Sequence, residues 1–185
     1  MKKLILLFII SFAALQNQAQ DKYFTKTGKI SFDATTTKSP ENIDGVNKSA
    51  ICVLDTKTGN IQFSVLMKGF EFERALMQEH FNENYVESNK FPKSEFKGSV
   101  TNNASVNYTK DGTYPVKVKG NLLIHGVTNV IETDGKIIVK AGKINAVAEF
   151  NVSLSDYNIS VPSLVADKLA KTAKIKVDCL LEPLK

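Results

Sequence analysis

The fold is decided by the segment Ile144-Asn145-Ala146-Val147-Ala148-Glu149-Phe150-Asn151-Val152-Ser153-Leu154. Every second residue in it is apolar, which is the pattern of a β-strand with one apolar face. Ala146 and Ala148 carry only a methyl group each, so this face does little to fill the space in front of it. If the sheet closes into a barrel, we therefore expect a hollow interior.

The N-terminus has the pattern of a secretory signal peptide. Lys2 and Lys3 precede an apolar run from Leu4 to Leu15, and the polar stretch that follows contains the small residue Ala19. The run is shorter than the roughly 20 apolar residues that a membrane span requires. We therefore predict a signal peptide at 1–20, a single domain at 21–185, and a periplasmic or extracellular location.

The charge distribution argues against a nucleic-acid partner. Without Lys2 and Lys3 the formal net charge falls from +5 to +3, and the remaining basic residues are interspersed with acidic ones. Binding to a phosphate backbone requires clustered positive charge. We expect the lysines to form a solvated outer face.

Alternating segments separated by turn residues predict an all-β fold. Strands are predicted at about 29–36, 48–56, 60–68, 94–102, 115–124, 128–139, 143–155 and 172–182. We interpret Asp134-Gly135 as a bulge inside one long strand rather than as a hairpin turn, which leaves eight strands. Eight antiparallel strands can enclose one small ligand in an up-and-down barrel, although a two-sheet sandwich would show the same alternation.

Two segments break this alternation. The apolar residues between Phe72 and Tyr85 recur near helical spacing, which predicts a helix at about 73–86 across one end of the barrel. This helix would serve either as a lid over a cavity or as a plug that completes the core. A second short helix is predicted at about 163–170, after Pro162.

The chain lacks a recognisable catalytic or metal-binding motif. It has two histidines, His80 and His125, and no third ligand at a defining distance along the sequence. It contains no nucleophile elbow, Walker loop or dinucleotide fingerprint, so we predict that it is not an enzyme. Cys52 and Cys179 lie in predicted strands, either as a disulfide or as two small buried residues.

Three stretches resemble the signature segments of the YceI-like family, in the same order and at similar intervals. They are Phe91-Pro92-Lys93-Ser94-Glu95-Phe96-Lys97-Gly98, Gly120-Asn121-Leu122-Leu123-Ile124-His125-Gly126-Val127-Thr128 and Ser155-Asp156-Tyr157-Asn158-Ile159. Glu79-His80-Phe81 is also similar to a histidine-bearing helix of that family. The resemblance implies a lipocalin-like antiparallel barrel, exported in bacteria, that holds a long isoprenoid or another amphiphilic chain. It places His80 and His125 at motif positions.

These observations predict an exported lipid-binding protein that transports, stores or sequesters an isoprenoid, a quinone or a fatty-acid-like amphiphile. The predicted apolar lining is Phe63, Val65, Met67, Leu76, Phe81, Tyr85, Phe96, Val118, Leu122, Ile124, Ala146, Ala148, Phe150, Val152 and Val177. Candidate headgroup contacts are His80, His125 and Tyr157. We expect no cofactor other than the bound amphiphile, no metal and no membrane-spanning segment. Exposed apolar residues such as Leu66 and Leu123 leave a homodimer open.

Two other hypotheses remain open at this stage. One is a haem- or metal-binding periplasmic protein that uses His80 and His125. The other is an interaction module whose barrel is filled by its own side chains.

Overall fold

The computed structural model describes residues 21–184. The predicted signal peptide therefore lies outside the described residues. The strands are β1 Lys22–Thr35, β2 Asp44–Asp55, β3 Asn60–Leu66, β4 Phe70–Glu71, β5 Lys93–Val100, β6 Gly112–Ile124, β7 Val127–Lys140, β8 Lys143–Ser153 and β9 Leu169–Pro183. All eight predicted strands are present.

The sheet closes on itself, which distinguishes a barrel from a sandwich. The strand order is β1-β9-β8-β7-β6-β5-β3-β2, every neighbouring pair is antiparallel, and β1 also pairs with β2. The two-residue strand β4 continues along β2 beyond the end of β3. The described chain is therefore an eight-stranded antiparallel β-barrel, as predicted.

The two ends of the barrel differ. At one end, residues 101–111 fold over the core, and the amide of Asn103 donates a 2.9 Å hydrogen bond to the carbonyl of Thr56 in the β2–β3 turn. Val106 and Tyr108 of this segment pack on the buried cluster that contains Leu54, Ile144 and Leu181. We call this the closed end, because side chains fill the barrel there.

The opposite end carries the helix, and we call it the helix end. The helix α1 runs Ala75–His80 and continues as a π-helical turn over Phe81–Tyr85, so the prediction of 73–86 is confirmed with slightly shorter bounds. The second predicted helix, at 163–170, is shorter than expected. The segment forms only a 3-10 turn at Ser163–Val165, because the residues from Leu169 onward belong to β9 and are paired in the sheet.

The Asp134-Gly135 dipeptide lies inside one long strand, but the predicted bulge is wrong. β7 pairs with β6 in an unbroken register through Lys117↔Asp134 and Val116↔Gly135. The interruption occurs on the other edge of β7, where pairing with β8 covers Gly135–Lys140 and ends at Gly135↔Ala148.

Candidate functional site

The interior of the barrel holds an apolar cavity of about 390 Å³. That volume falls in the range typical of small-molecule sites, roughly 300–1,000 Å³. The cavity extends from the middle of the barrel to the helix end and stops above the packed closed end. It arises because inward positions of β7 and β8 carry Gly135, Ala146 and Ala148, which leave space that larger side chains would fill.

Most of the predicted lining lies where the sequence placed it. Every predicted lining residue except Leu76 borders the cavity. Leu76 points away from it and is 61% exposed, because α1 presents Met77 and the following turn presents Phe81 and Tyr85 to the interior. Contact of these residues with a ligand remains a prediction.

Several lining residues were missed by the sequence reasoning. Ile30 and Phe32 line the cavity from β1, and Ile131 and Thr133 line it from β7. The β1 residues alternate within a predicted strand, so period-two alternation could have identified them. Phe72 also lines the cavity, from the short stretch between β4 and α1, where strand alternation does not apply.

Aromatic rings and an ion pair close the helix end. Phe81 stacks on Phe32 at a centroid distance of 5.2 Å and lies 5.0 Å from the ring of Phe72. Above them, Arg74 Nε lies 2.7 Å from Glu41 Oε2. The helix thus covers the cavity while leaving it hollow, which favours a lid over a plug.

The three candidate headgroup contacts are not together. His80 lies at the exposed end of α1 and borders the cavity, whereas His125 and Tyr157 are absent from its lining. His125 and Gly126 form the two-residue β6–β7 turn. Their φ values of 49° and 76° are both positive, as the favoured turn of a two-residue hairpin requires. The structure therefore gives no support to His125 or Tyr157 as headgroup contacts.

Both ring nitrogens of His125 are engaged within the protein. Nε2 lies 2.7 Å from Glu87 Oε2, and Nδ1 lies 3.0 Å from the carbonyl oxygen of Tyr157. The ring also packs edge-on against Phe91 at 4.6 Å. This arrangement joins the segment after the helix to the β6–β7 turn and to the Ser155–Tyr157 turn, so His125 has a structural role and no nitrogen free for a haem or metal.

Burial shifts the pKa of the buried hydroxyl and thiol groups. Tyr157 is 3% exposed, and burial raises the pKa of its hydroxyl, an effect that nearby Asp156 adds to and Asn129 opposes. Cys52 and Cys179 are buried free thiols rather than a disulfide, and burial raises the pKa of each. Thiols in such an environment are unreactive and pack as small apolar groups.

Residues 21–184 contain no group of three or more histidine, cysteine or acidic residues arranged to hold a metal ion. Within the same range, we find no helix with the length and apolar character needed to cross a bilayer.

The barrel is packed at one end, hollow in the middle and covered by a helix at the other end. These features place it in the class of small antiparallel barrels with an internal apolar cavity. Within this class, the chain belongs to the YceI-like family, whose domain model matches residues 15–180. This match confirms the family resemblance seen in the sequence. A search of curated proteins found no relative.

Solved structures share the fold at low sequence identity. A polyisoprenoid-binding domain from Saccharophagus degradans, implicated in plant cell wall breakdown, is 14% identical with a TM-score of 0.76 over 89% of this chain and 99% of its own. BcnA from Burkholderia cenocepacia is 15% identical with a TM-score of 0.66, covering 83% and 95%. The YceI protein of Campylobacter jejuni is 18% identical with a TM-score of 0.57, covering 78% and 87%.

Proposed function

We propose that this protein is an exported, non-enzymatic carrier or sequestering protein for an amphiphile with a long apolar tail, such as an isoprenoid, a quinone or a fatty-acid-like molecule. The observation that carries the proposal is the hollow apolar interior of the barrel. A packed core leaves few voids larger than a water molecule, whereas the interior of this barrel holds a cavity of about 390 Å³ among mostly aliphatic and aromatic side chains.

Two facts support the identity of the ligand class and the export. The similar domain from Saccharophagus degradans is described as polyisoprenoid-binding, and this chain has the same fold. The N-terminal sequence has the pattern of a signal peptide. Burial of the tail would drive binding at about 25 cal/mol per Å² of apolar surface removed from water.

The cavity also indicates how the ligand is oriented. Its walls are largely apolar. The titratable side chains of Glu41, His80 and Lys168 border it at the helix end, and Glu95 and Lys136 border it from β5 and β7. We infer that the tail lies toward the closed end and the headgroup lies under the helix, near His80. The interaction module with a filled barrel is disfavoured, because side chains leave the middle of this barrel empty.

The direct test is to purify the full chain, extract it with organic solvent and analyse the extract by mass spectrometry. We expect a copurified amphiphile, or stoichiometric uptake of an added isoprenoid. The absence of both would contradict the proposal.

A matched pair of variants connects binding to the cavity. Ala148→Trp places an indole in the cavity and should abolish uptake while the barrel still unfolds cooperatively. Leu180→Trp adds the same side chain on the outer surface, where Leu180 is 52% exposed, and should bind as the wild type does. If Ala148→Trp is destabilised by the 1–3 kcal/mol typical of overpacking, the site is packed core instead.

A further inference from the structure

The hydrogen-bonded wall of the barrel is interrupted between β7 and β8. Their ladder ends at Gly135↔Ala148, yet β7 stays paired with β6 as far as Val127, and β8 stays paired with β9 as far as Ser153. Residues 130–134 of β7 and 149–153 of β8 therefore face each other without ladder hydrogen bonds. We call this unpaired stretch of the wall the slit.

The slit has defined limits. At its lower limit the two strands lie close together. A Cβ atom added at Gly135 would lie only 2.9 Å from the carbonyl oxygen of Val147. At its upper limit the amide of Asn129 donates a 2.7 Å hydrogen bond to the carbonyl oxygen of Asp156. The five residues of β7 between these points span about 17 Å at the usual rise of a strand.

Side chains on both sides of the slit border the cavity. Ile131 and Thr133 on its β7 side and Ala148, Phe150 and Val152 on its β8 side all belong to the cavity lining. On the outer surface, Val130 stands at its upper part and is 66% exposed. An apolar chain would thus meet apolar side chains on both sides of the wall.

The charged residues beside the slit do not hold it closed. Glu132 and Asp134 pair with Lys119 and Lys117 on β6, which lies behind β7. Glu149 pairs with lysines of β9, which lies behind β8. Among residues 21–184, no ion pair crosses from β7 to β8 along the slit.

We propose that the slit is a lateral portal through which the apolar tail of the ligand enters and leaves the cavity. This inference rests on the proposed function. Opening the helix end requires separation of the Phe32, Phe72 and Phe81 rings and of the Arg74–Glu41 ion pair. Widening the slit breaks no ladder hydrogen bond, because none is formed there.

The test closes each route separately by chemical cross-linking. Continuing the β7–β8 register places Glu132 opposite Asn151, so the double variant Glu132→Cys with Asn151→Cys is joined by a short bis-maleimide to lock the slit. Glu41→Cys with Arg74→Cys, joined in the same way, locks the helix end. Lys97→Cys with Asn121→Cys links β5 to β6 where the ladder is complete and serves as the control. The native thiols are buried, and mass spectrometry verifies a single cross-link in each protein.

The readout is the rate at which retinol, a fluorescent isoprenoid alcohol, is taken up from and released to lipid vesicles in stopped-flow measurements. Each cross-linked protein is compared with the same double variant before cross-linking. We expect the locked slit to slow both rates at least tenfold, with the amount bound at equilibrium unchanged, and the other two cross-links to change both rates less than twofold.

Other results would overturn the proposal. Wild-type rates in the protein with the locked slit, or slowing by the helix-end cross-link alone, would show that the ligand uses the helix end. If the protein without a cross-link binds neither retinol nor a copurified amphiphile, the proposed function itself fails and the portal fails with it. The two kinds of failure are therefore separated by the protein without a cross-link.

Discussion

At the scale of single residues, the two histidines have opposite surroundings. His125 is nearly buried and contacts Glu87, Phe91 and the carbonyl of Tyr157, whereas His80 is exposed at the end of α1. His125→Ala should lower the free energy of unfolding by about 1–3 kcal/mol, because it leaves a buried carbonyl without its donor. His80→Ala, measured by the same urea titration, should stay within about 0.5 kcal/mol of wild type. Equal losses in the two variants would contradict the structural role of His125.

Tyr108 makes the stability depend on alkaline pH. Burial at the closed end raises the pKa of its hydroxyl from 10.0 to about 12, and this hydroxyl donates a 2.7 Å hydrogen bond to Asn103. Because the folded pKa lies above the unfolded one, the contribution is fully present below pH 10 and is lost as the pH rises through 12. Wild type should therefore lose more stability than Tyr108→Phe between pH 9 and pH 12. Parallel curves for the two proteins, from urea unfolding at each pH, would refute this.

The sequence predicts which residues of an alternating strand face the interior of the barrel. It does not predict the orientation of side chains in the helix and the loops. Phe63, Ala146 and Ala148 line the cavity because period two fixes which side of the sheet a residue faces. Leu76 lies on the exposed face of α1, and His125 is held by Glu87 and the carbonyl of Tyr157. Neither residue borders the cavity, and neither orientation leaves a periodic signal in the sequence.

At the scale of elements, two tight hairpins provide a matched test of turn geometry. Gly126 and Gly142 have φ values of 76° and 74°, a conformation that costs an L-residue about 1–2 kcal/mol. A side chain at Gly126 would clash with the ring of Phe91, whereas nothing lies within 4 Å of a side chain at Gly142. Gly142→Ala should therefore lower the free energy of unfolding only by the cost of the left-handed backbone conformation. Gly126→Ala should lower it by a further ~1–3 kcal/mol, measured by urea unfolding, because the added methyl group is overpacked. Similar losses would mean that the ring of Phe91 moves aside.

The elements themselves were largely predictable, but their pairing was not. The first half of β1 was missed because register shifts between Thr25 and Ile30 interrupt its alternation. The sequence marks Asp134-Gly135 as an irregularity in β7. In the structure the β7–β8 ladder ends at Gly135, which the dipeptide alone does not indicate. The barrel closes through the pairing of β1 with β9, which are distant in sequence, and the slit depends on where the β7–β8 ladder ends. Alternation along one strand indicates neither.

At the scale of the whole molecule, the division between a packed end and a hollow end separates stability from binding. The buried cluster of Leu54, Ile144 and Leu181 at the closed end holds the strands together, so the cavity above it does not need to be filled for the fold to persist. Ligand that binds only the folded state should then raise the melting temperature of extracted protein.

The closed end also sets a limit on ligand length, which a series of isoprenoid or n-alkyl alcohols can measure. Each added methylene should tighten binding by up to about fourfold, from roughly 0.8 kcal/mol per buried group, until the tail reaches the packed end and the gain stops. Changing the headgroup at fixed length should matter less, because the walls of the cavity are largely apolar. Ile137→Phe, at a cavity-lining position on β7 that is 2% exposed, should move the plateau to a shorter chain. Affinity independent of chain length, measured by titration calorimetry, would place the tail outside the barrel.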